Sequence, residues 1–415
     1  MATFKPFKAI RPREDLADKV AALPYDVMNS DEAREMVKDN PYSFLHIDKA
    51  EIDLPPGTDL YSNEVYQKAK SNLERMTDEG IFIEDEGAHF YIYTQVMDGR
   101  SQTGLVGCAG VDDYIENRIK KHELTRADKE ADRTRHVDTL DANTGPIFLI
   151  HESNEKIALA VSEYKMSNKP VYDFVTDQGV RNTVWKIEGT EITSLIEEEF
   201  EKMSSLYIAD GHHRAASAIS VAKKRRSENP DYTGEEEFNR FLAVTFPADE
   251  LAIMDYNRLI KDLNGKSFDE FLNEISHDFE VKSVSAQGPF APKQAHSFGM
   301  YYAGEWFELK AKPGSFDEND PVESLDVSIL QKNLIGPVLG IKDPRTDERI
   351  DFVGGIRGLK ELERRVEEGM TLAFSMYPTT IKELIDIADA GEIMPPKSTW
   401  FEPKLLSGLF IHKLS

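Results

Sequence analysis

Apolar positions along this chain follow two periods, and segments of the two kinds succeed one another from end to end. A recurrence every three or four residues predicts helices at residues 31–38, 61–79, 127–139, 193–203, 214–224, 268–276, 328–334, 359–368 and 380–390. Short runs of alternating or consecutive apolar residues predict strands at residues 89–96, 104–111, 147–150, 171–175, 183–187, 206–209, 241–246, 300–302, 306–309, 350–353 and 371–375. This mixed succession predicts an α+β, or mixed α/β, fold.

The length of 415 residues predicts two domains, each able to bury its own core. A break follows the predicted strand at 241–246, so we expect a first domain over residues 1–250 and a second α/β domain over residues 251–415. Two loops are predicted inside the second half, at residues 287–294 and 312–321, where proline and polar residues cluster.

The segment Asp210-Gly211-His212-His213-Arg214 joins a predicted strand to a predicted helix. A helix N-terminus has free backbone N–H groups and the positive end of the dipole, and both favour an anion. Gly211 lets the backbone approach a ligand, and Arg214 can donate to two phosphate oxygens. Asp210 can cap the helix or hold a metal. An ordinary helix cap explains two or three of these residues, whereas all five together favour a phosphate-binding site.

A second polar segment contains His122 and Glu123 and precedes the charged helix predicted at 127–139. Thr125 with Asp128 predicts a capping-box start for this helix, which leaves Glu123 on the loop. A carboxylate there can act as general base toward a hydroxyl, with His122 beside it and with Thr125 and Arg126 as candidate substrate contacts. The alternative is that these are ordinary polar residues of a loop.

Two turns in the second half of the chain carry anion-binding side chains. Arg357 lies in a Gly-rich strand-to-helix turn at 354–358, and Lys397 lies in a proline-shaped stretch at 394–401. We expect this half to close over the phosphate-binding turn as a lid, with Arg357 and Lys397 as contacts. The alternative is that the turn at 354–358 is an ordinary strand-to-helix connection and that the aromatic residues at 394–401 belong to a core. A turn at 23–27 offers a Tyr and an Asp to the same site or caps the next helix.

The composition excludes several classes of protein. With 75 acidic and 50 basic residues the formal net charge is −25, which argues against a nucleic-acid binder because such binding needs a basic field. No apolar run is long enough for a membrane span, and the first residues lack the apolar centre of a signal peptide, so we expect a cytoplasmic protein. The single cysteine, Cys108, excludes a disulfide framework within the chain, and the scattered histidines predict no structural zinc.

These segments together resemble a known superfamily. His122-Glu123-x-Thr125, the Gly-Pro-Ile-Phe run at 145–148 and residues 208–214 are similar to the core of the ParB/sulfiredoxin superfamily, and the Asp-Gly-His-His-Arg sequence is similar to that of its free-serine kinases. The whole chain is identified as a member of the bacterial and archaeal family called domain of unknown function 1015. The stretches that carry this resemblance are residues 9–12, 23–27, 40–44, 121–125, 210–214, 256–258, 325–330 and 394–401.

The resemblance implies a ParB/sulfiredoxin-like core and phosphoryl transfer to a small-molecule hydroxyl, with free L-serine as acceptor and ATP, ADP or pyrophosphate as donor. Carried over by position, Glu123 is the base and residues 210–214 form the phosphate-binding turn. Phosphoryl transfer also favours a Mg²⁺ ion, with Asp210 as its ligand. An insert at about residues 150–206 stands where the kinases have a short connection, and we expect it to cover the pocket or change the acceptor. The implied binding partners are a small-molecule substrate and a phosphoryl donor, and we expect no binding to nucleic acid or to a membrane. Whether the protein forms a homodimer is left open.

A free amino acid also needs contacts to its carboxylate and its ammonium, and Arg126, Arg133 and His136 are near the base in sequence. Two other functions can use the same turn. A regulatory sensor would bind a nucleotide or phosphate without turnover, and a nucleotide-dependent nuclease is a third option. Formation of phosphoserine from serine and a donor selects the kinase, whereas binding without product selects the sensor.

Overall fold

The computed structural model describes residues 2–284 and 288–415. The helices in these ranges are α1 (Ala17–Val20), α2 (Ser30–Val37), α3 (Leu45–Asp48), α4 (Asn63–Asp78), α5 (Val111–Ile115), α6 (Ala127–Leu140), α7 (Glu155–Ser167), α8 (Thr190–Lys202), α9 (His212–Glu228), α10 (Phe268–Ile275), α11 (Asp326–Leu330), α12 (Leu359–Glu367) and α13 (Ile381–Ala390).

The strands in the same ranges are β1 (Phe4–Lys5), β2 (Ala9–Pro12), β3 (Phe82–Glu84), β4 (Tyr91–Met97), β5 (Arg100–Gly110), β6 (Ile119–Lys120), β7 (Ala142–Asn143), β8 (Ile147–His151), β9 (Tyr172–Val175), β10 (Arg181–Lys186), β11 (Leu206–Asp210), β12 (Arg240–Pro247), β13 (Ile253–Met254), β14 (Tyr256–Ile260), β15 (Phe279–Ser283), β16 (Ser297–Tyr302), β17 (Glu305–Ala311), β18 (Ile350–Gly354), β19 (Leu372–Ser375), β20 (Trp400–Phe401) and β21 (Ile411–Lys413). Residue 287, the first of the predicted loop at 287–294, lies outside the described residues.

The chain forms two units. Unit 1 holds Met1–Leu251 together with Pro403–Ser415, and unit 2 holds Ala252–Glu402. The second unit therefore ends earlier than a domain over residues 251–415 would, because β21 returns to pair with β2 and β7 of unit 1. Unit 2 is thus inserted in the sequence between two parts of unit 1.

Within the described residues, unit 1 contains a nine-stranded sheet in the order β6-β11-β8-β12-β5-β4-β10-β9, with β1 beside β5. The sheet is mixed, since β8 is antiparallel to β11 and parallel to β12. All residues of β8 are buried, which is typical of a central strand covered on both faces. Its core includes Leu149, Ile208, Phe241 and Ala243. This arrangement places the end of β11 next to the start of β8.

The insert at 150–206 extends this sheet. Its strands β9 and β10 add to the edge beside β4, which is the opposite edge from β6 and β11. Its helices α7 and α8 bury Ile157, Val161, Ile196 and Phe200 in the core of the sheet. The insert is therefore part of the core of unit 1, and any effect on the choice of acceptor stays a prediction.

A second core in unit 1 positions the helices that carry the candidate site. The four-stranded sheet β3-β2-β21-β7 packs with α3 and α4, and Phe44, Leu45, Ala69, Met76 and Ile411 are buried between them. Helix α6 packs against both α4 and α9. Because of this packing, the loop before α6 and the N-terminus of α9 lie side by side.

Unit 2 is built around an antiparallel six-stranded sheet in the order β15-β17-β16-β19-β14-β18, and β13 pairs with β20. Its core includes Leu259, Tyr301, Trp306 and Leu362. Helix α11 continues as a π-helical turn over Gln331–Ile335. Among the helices of residues 2–284 and 288–415, none combines the length and the apolar character that crossing a bilayer requires.

The mixed α/β class is confirmed, and the strongly periodic elements lie close to their predicted positions. The pattern predicts no helix at α7, because its buried Ile157 and Val161 alternate with exposed Leu159 and Met166 and form no clear stripe. The short strands β1, β2, β3, β7 and β21 are also missed, since two to four residues are too few to display a period.

We expect Ile411→Ala to lower the free energy of unfolding of unit 1 by about 2–5 kcal/mol. Ile411 is fully buried in β21, and its truncation leaves a cavity beside the core that contains Phe44. Urea unfolding followed by the fluorescence of Trp185, in a protein whose Trp306 and Trp400 of unit 2 are replaced by Phe, measures the change. The exposed Lys413 on the same strand provides the control, because Lys413→Ala should change the value by less than about 0.5 kcal/mol. Equal effects of the two substitutions would contradict the prediction.

Candidate functional site

The predicted strand-to-helix turn is present. β11 ends at Asp210 and α9 begins at His212, and the pairing of β11 with β8 shifts register just before Asp210. Gly211 has a φ of 92°, a left-handed conformation that favours glycine, and a Cβ there would lie 3.1 Å from Nε of Arg214. The N-cap residue of α9 is Gly211, which has no side chain to cap the helix, and the backbone N–H of Gly211 donates to the carboxylate of Asp210. The N-terminus of α9 suits an anion.

Arg214 ties this turn to the neighbouring strand. Its Nη2 donates to Oδ2 of Asp210 at 3.2 Å, and its Nη1 donates to the backbone carbonyl of Pro146, just before β8, at 2.6 Å. Burial raises the pKa of Asp210, but the charges of Lys404 and Arg214 outweigh burial, and the pKa lies below its ordinary value. Asp210 is therefore ionised, and a contact of Arg214 to phosphate has to use its remaining N–H donors.

Two buried imidazoles lie against the turn. The rings of His122 and His212 meet edge to face with 4.6 Å between their centroids, and the residues are 2% and 5% exposed. Burial lowers the pKa of His122 to about 4, against the opposing effects of Asp210 and of the Ile208 backbone. Burial likewise lowers the pKa of His212 well below its ordinary value. Both rings are therefore neutral at neutral pH.

By distance and angle, three nitrogens of these two rings lack a hydrogen-bond partner within the described residues: both ring nitrogens of His122, although the Ile208 backbone is near enough to raise its pKa, and Nε2 of His212. A buried polar atom without a partner costs about 1–3 kcal/mol, so such atoms call for a ligand or water. Nδ1 of His212 lies 3.6 Å from Oε2 of Glu123, which is too long for a hydrogen bond. The Glu123 side chain is 50% exposed. The site thus combines buried donors with a carboxylate that also reaches solvent.

A further contact joins the loop before α6 to α9. The backbone N–H of Arg126 donates to Nε2 of His213 at 3.1 Å, so the proton of His213 is on Nδ1. The predicted capping box is wrong: Arg126 is the N-cap residue of α6, and its side chain does not cap the helix. Thr125 instead donates to Oε2 of Glu130 at 2.9 Å, and the carboxylate of Asp128 is held by Arg126 at 2.9 Å.

No sequence pattern points to Lys404, whose charge helps to keep Asp210 ionised. Lys404 belongs to the segment that returns to unit 1 after unit 2. No local pattern predicts its position, because that position follows from the long-range pairing of β21 with β2 and β7.

A small cavity adjoins Arg214 within unit 1. Its volume is about 20 Å³, and its wall includes Tyr25, Asp48, Arg133 and Thr144. Tyr25, in the turn at 23–27, and Arg133 are candidates from the sequence. Asp48 and Thr144 are not, because the one-turn helix α3 and the residues after β7 carry no distinguishing pattern.

Arg357 and Lys397 belong to unit 2. Arg357 is exposed at the end of the 3₁₀ turn Gly355–Arg357. Lys397 has a φ of 61°, and its Nζ lies 5.5 Å from the ring centroid of Tyr256. A contact of either residue with the turn at Asp210, and the closing of unit 2 as a lid, stay predictions.

Within residues 2–284 and 288–415, no three His, Cys, Asp or Glu side chains form a group that could hold a metal ion. The ionised Asp210 can supply one oxygen ligand, which suits a Mg²⁺ ion held mainly by donor phosphates. Cys108 is buried in β5, and burial raises the pKa of its thiol well above the ordinary value, as is typical of a packing residue. The absence of structural zinc stays a prediction.

A family model described as a protein of unknown function, DUF1015, matches residues 4–328. The chain belongs to this family. The matched range includes Glu123, Asp210 and the cavity residue Asp48, whereas Arg357, Lys397 and Lys404 lie beyond it. No curated protein matches the chain.

Solved structures resemble this DUF1015 chain weakly. A conserved hypothetical protein from Pyrococcus furiosus is 15% identical, with a TM-score of 0.36 over 74% of this chain and 95% of that chain. SbnI with a C-terminal truncation, from Staphylococcus aureus, is 10% identical, with a TM-score of 0.39 over 73% and 85%. A free serine kinase in complex with AMP is 13% identical, with a TM-score of 0.36 over 77% and 92%. Similarity at this level carries no assignment of substrate or donor.

The buried neutral histidines make stability depend on pH. His122 takes up its proton near pH 6.5 in the unfolded chain but at about pH 4 in the folded protein. Between these values the unfolded state binds more protons than the folded state. The free energy of unfolding therefore has its highest value above about pH 6.5 and decreases as the pH drops towards 4. From about pH 7 to about pH 4.5, His122→Gln should reduce this fall by on the order of 2 kcal/mol.

Urea unfolding at the two pH values tests this prediction. His277→Gln, at an exposed histidine of unit 2, is the control and should keep the wild-type fall. If His122→Gln loses as much stability on acidification as the wild-type protein, then His122 is not held neutral in the folded state.

Proposed function

We propose that this DUF1015 protein is a small-molecule kinase that transfers a phosphoryl group from a nucleotide or pyrophosphate to a hydroxyl, with free L-serine as the acceptor and O-phosphoserine as the product. One observation carries the proposal. The N-terminus of α9 and the ring nitrogens of His122 and His212 that lack a hydrogen-bond partner within the described residues lie beside the carboxylate of Glu123. An anion site and a base thus occur together. We also place the protein in the cytoplasm.

The anion site offers donors of several kinds. The backbone N–H groups at the start of α9 and the N–H groups of the neutral His122 and His212 can donate to phosphate oxygens. Arg214 and Lys404 add positive charge. Phosphoryl transfer depends on positioning and charge neutralisation more than on covalent help, and this set of groups supplies both.

Glu123 takes the role of general base. The hydroxyl oxygen of the acceptor forms a bond to the terminal phosphorus of the donor while the bond from that phosphorus to the bridging oxygen breaks. The bridging oxygen keeps the electron pair, and the hydroxyl proton passes to the carboxylate of Glu123. The half-exposed Glu123 can then release the proton to solvent. His122 is the alternative base, but its burial and its pKa of about 4 suit a hydrogen-bond donor better.

Mg²⁺, when bound with the donor, would neutralise part of the charge that develops on the phosphates. Asp210 would hold it, because this carboxylate is ionised at the end of β11. The protein's own groups position the donor and acceptor around this charge, and Arg214 keeps Asp210 in place through their contact at 3.2 Å.

A regulatory sensor that binds a nucleotide without turnover is the second candidate. It is favoured by one feature, namely that both terminal nitrogens of Arg214 already have protein partners, in Asp210 and Pro146. Such a fixed arrangement suits static binding. It leaves Glu123 without a role, however, since a carboxylate beside a bound phosphate repels it.

We expect Glu123→Gln to lower turnover about 10²–10⁴-fold with little change in donor affinity, because the amide keeps the shape of the side chain but cannot accept a proton. The assay follows O-phosphoserine formed by the purified protein with L-serine, Mg²⁺ and a panel of ATP, ADP and pyrophosphate. Calorimetric titration gives donor affinity.

Glu116→Gln is the matched control, since it makes the same change at an exposed carboxylate that pairs with Arg118. Near-full turnover by Glu123→Gln would show that the assignment is wrong. Loss of turnover in His122→Ala, with turnover kept in Glu123→Gln, would move the base to His122. Nucleotide binding without product from any donor would favour the sensor.

We expect Arg214→Ala to weaken donor binding by about 1.5–3 kcal/mol, the range for a charged hydrogen bond. The substitution removes a positive charge and also the contacts that hold the turn to Asp210 and Pro146. Arg226→Ala is the control on the same helix, because Arg226 pairs with Asp112 instead. Donor affinity that stays the same in Arg214→Ala would count against the site.

A further inference from the structure

The cavity of about 20 Å³ in unit 1 has a polar wall that includes Tyr25, Asp48, Arg133, Thr144 and Arg214. A volume of this size takes about one or two water-sized groups. The wall is built from segments that are far apart in the sequence and that all belong to unit 1. Arg214 connects the cavity to the phosphate-binding turn, since its guanidinium lines the cavity and also pairs with the carboxylate at the end of β11.

Asp48 is 6% exposed and lies at the end of α3. Its Oδ1 accepts a hydrogen bond from Oγ1 of Thr144 at 2.9 Å, and the hydroxyl of Ser407 also favours the ionised form. Burial nevertheless raises the pKa of Asp48, because these neutral hydroxyls and the charge of Arg133 do not fully replace water. The carboxylate is therefore held in place but incompletely neutralised.

The two guanidiniums of the wall already have carboxylates of their own. Arg133 pairs with Asp132 at 2.9 Å, and Arg214 pairs with Asp210 at 3.2 Å. Across the part of the chain that the structure describes, Asp48 forms no such ion pair. Burial of a carboxylate that has no ion pair of its own is costly even with the charges of Arg133 and Arg214 nearby. The cavity therefore favours a ligand group that is positive, donates hydrogen bonds and is about the size of water. An ammonium group has these properties.

The guanidiniums keep N–H donors for a neighbouring carboxylate. Arg133 uses Nε for Asp132 and directs Nη1 to the backbone carbonyl of Asp48 at 3.5 Å. Its guanidinium carbon lies 4.2 Å from the ring centroid of Tyr25, which fixes the plane of the group. Arg214 uses one donor on each terminal nitrogen. A planar fork of this kind matches a carboxylate. The wall therefore offers an acceptor for an ammonium and donors for a carboxylate side by side.

We propose that this cavity takes the ammonium of an α-amino-acid acceptor, with Asp48 accepting its hydrogen bonds, and that Arg133 and Arg214 donate to the carboxylate beside the cavity. The inference rests on the proposed function and names the residues that select its acceptor. Because Arg214 belongs to both the cavity wall and the turn, a head group anchored in the cavity by its ammonium lies next to the phosphate-binding turn. A hydroxyl one carbon away is then close to the site of transfer.

The test measures binding of three probes to the full chain by calorimetric titration, with and without AMP. L-serine carries both charged groups, 3-hydroxypropionate lacks the ammonium, and ethanolamine lacks the carboxylate. The wild-type protein should bind L-serine about 10- to 100-fold more tightly than either analogue, since each lost contact is a charged hydrogen bond. Asp48→Asn should weaken the binding of L-serine by a similar factor and leave the binding of 3-hydroxypropionate unchanged.

Glu199→Gln is the matched control, because Glu199 is a buried carboxylate of unit 1 that does not line the cavity. It should keep the wild-type affinity for L-serine. Thermal unfolding shows whether Asp48→Asn folds, and if it does not, the comparison of the three probes on the wild-type protein decides alone. Equal binding of L-serine and 3-hydroxypropionate, wild-type affinity of a folded Asp48→Asn, or no binding of L-serine would each overturn the inference.

The result separates this inference from the proposed kinase activity. Binding of L-serine that depends on Asp48, without phosphoserine from any donor, would support the cavity and contradict the kinase. Phosphoserine formation with an unchanged KM for serine in Asp48→Asn would support the kinase and contradict the cavity.

Discussion

The contact between Arg214 and Asp210 is the interaction on which the candidate site depends. It spans the left-handed Gly211 and links the end of β11 to the first turn of α9, while the other terminal nitrogen of Arg214 holds the carbonyl of Pro146 before β8. One guanidinium thus fixes the strand, the turn and the helix relative to each other. Since it also lines the cavity that contains Asp48, the phosphate-binding turn and the proposed acceptor pocket share a wall.

The charges of the site contrast with those of the whole chain. A formal net charge of −25 repels a phosphate donor, so any binding has to rely on local groups. His122 and His212 are neutral because burial disfavours their charged forms, and they can offer hydrogen bonds but no charge. The attraction then comes from the N-terminus of α9, Arg214 and Lys404. A donor that arrives with Mg²⁺ would meet less repulsion, which is a physical reason to expect the metal on the donor rather than in a preformed cage.

Sequence alone predicts the parts of the site that are local. Gly211 between an apolar strand and an Ala-rich helix is a local signal, and the turn is found where that signal places it. The neighbourhood of Glu123 and His212 is also expected, although through resemblance rather than through any period. Asp48 and Lys404 could not be predicted, because the first is the last residue of a one-turn helix and the second reaches the site through the pairing of β21. Long-range pairing of short strands leaves almost no trace in local patterns.

The last segment of the chain has a larger part in the site than its length suggests. It brings Lys404 towards Asp210 and the hydroxyl of Ser407 towards Asp48, and it supplies β21 to the sheet beside α3 and α4. Unit 2 lies in the sequence between this segment and the rest of unit 1. Lys404 and Ser407 therefore reach the site only after the chain has passed through unit 2 and returned. The site is thus assembled from residues on both sides of unit 2 in the sequence.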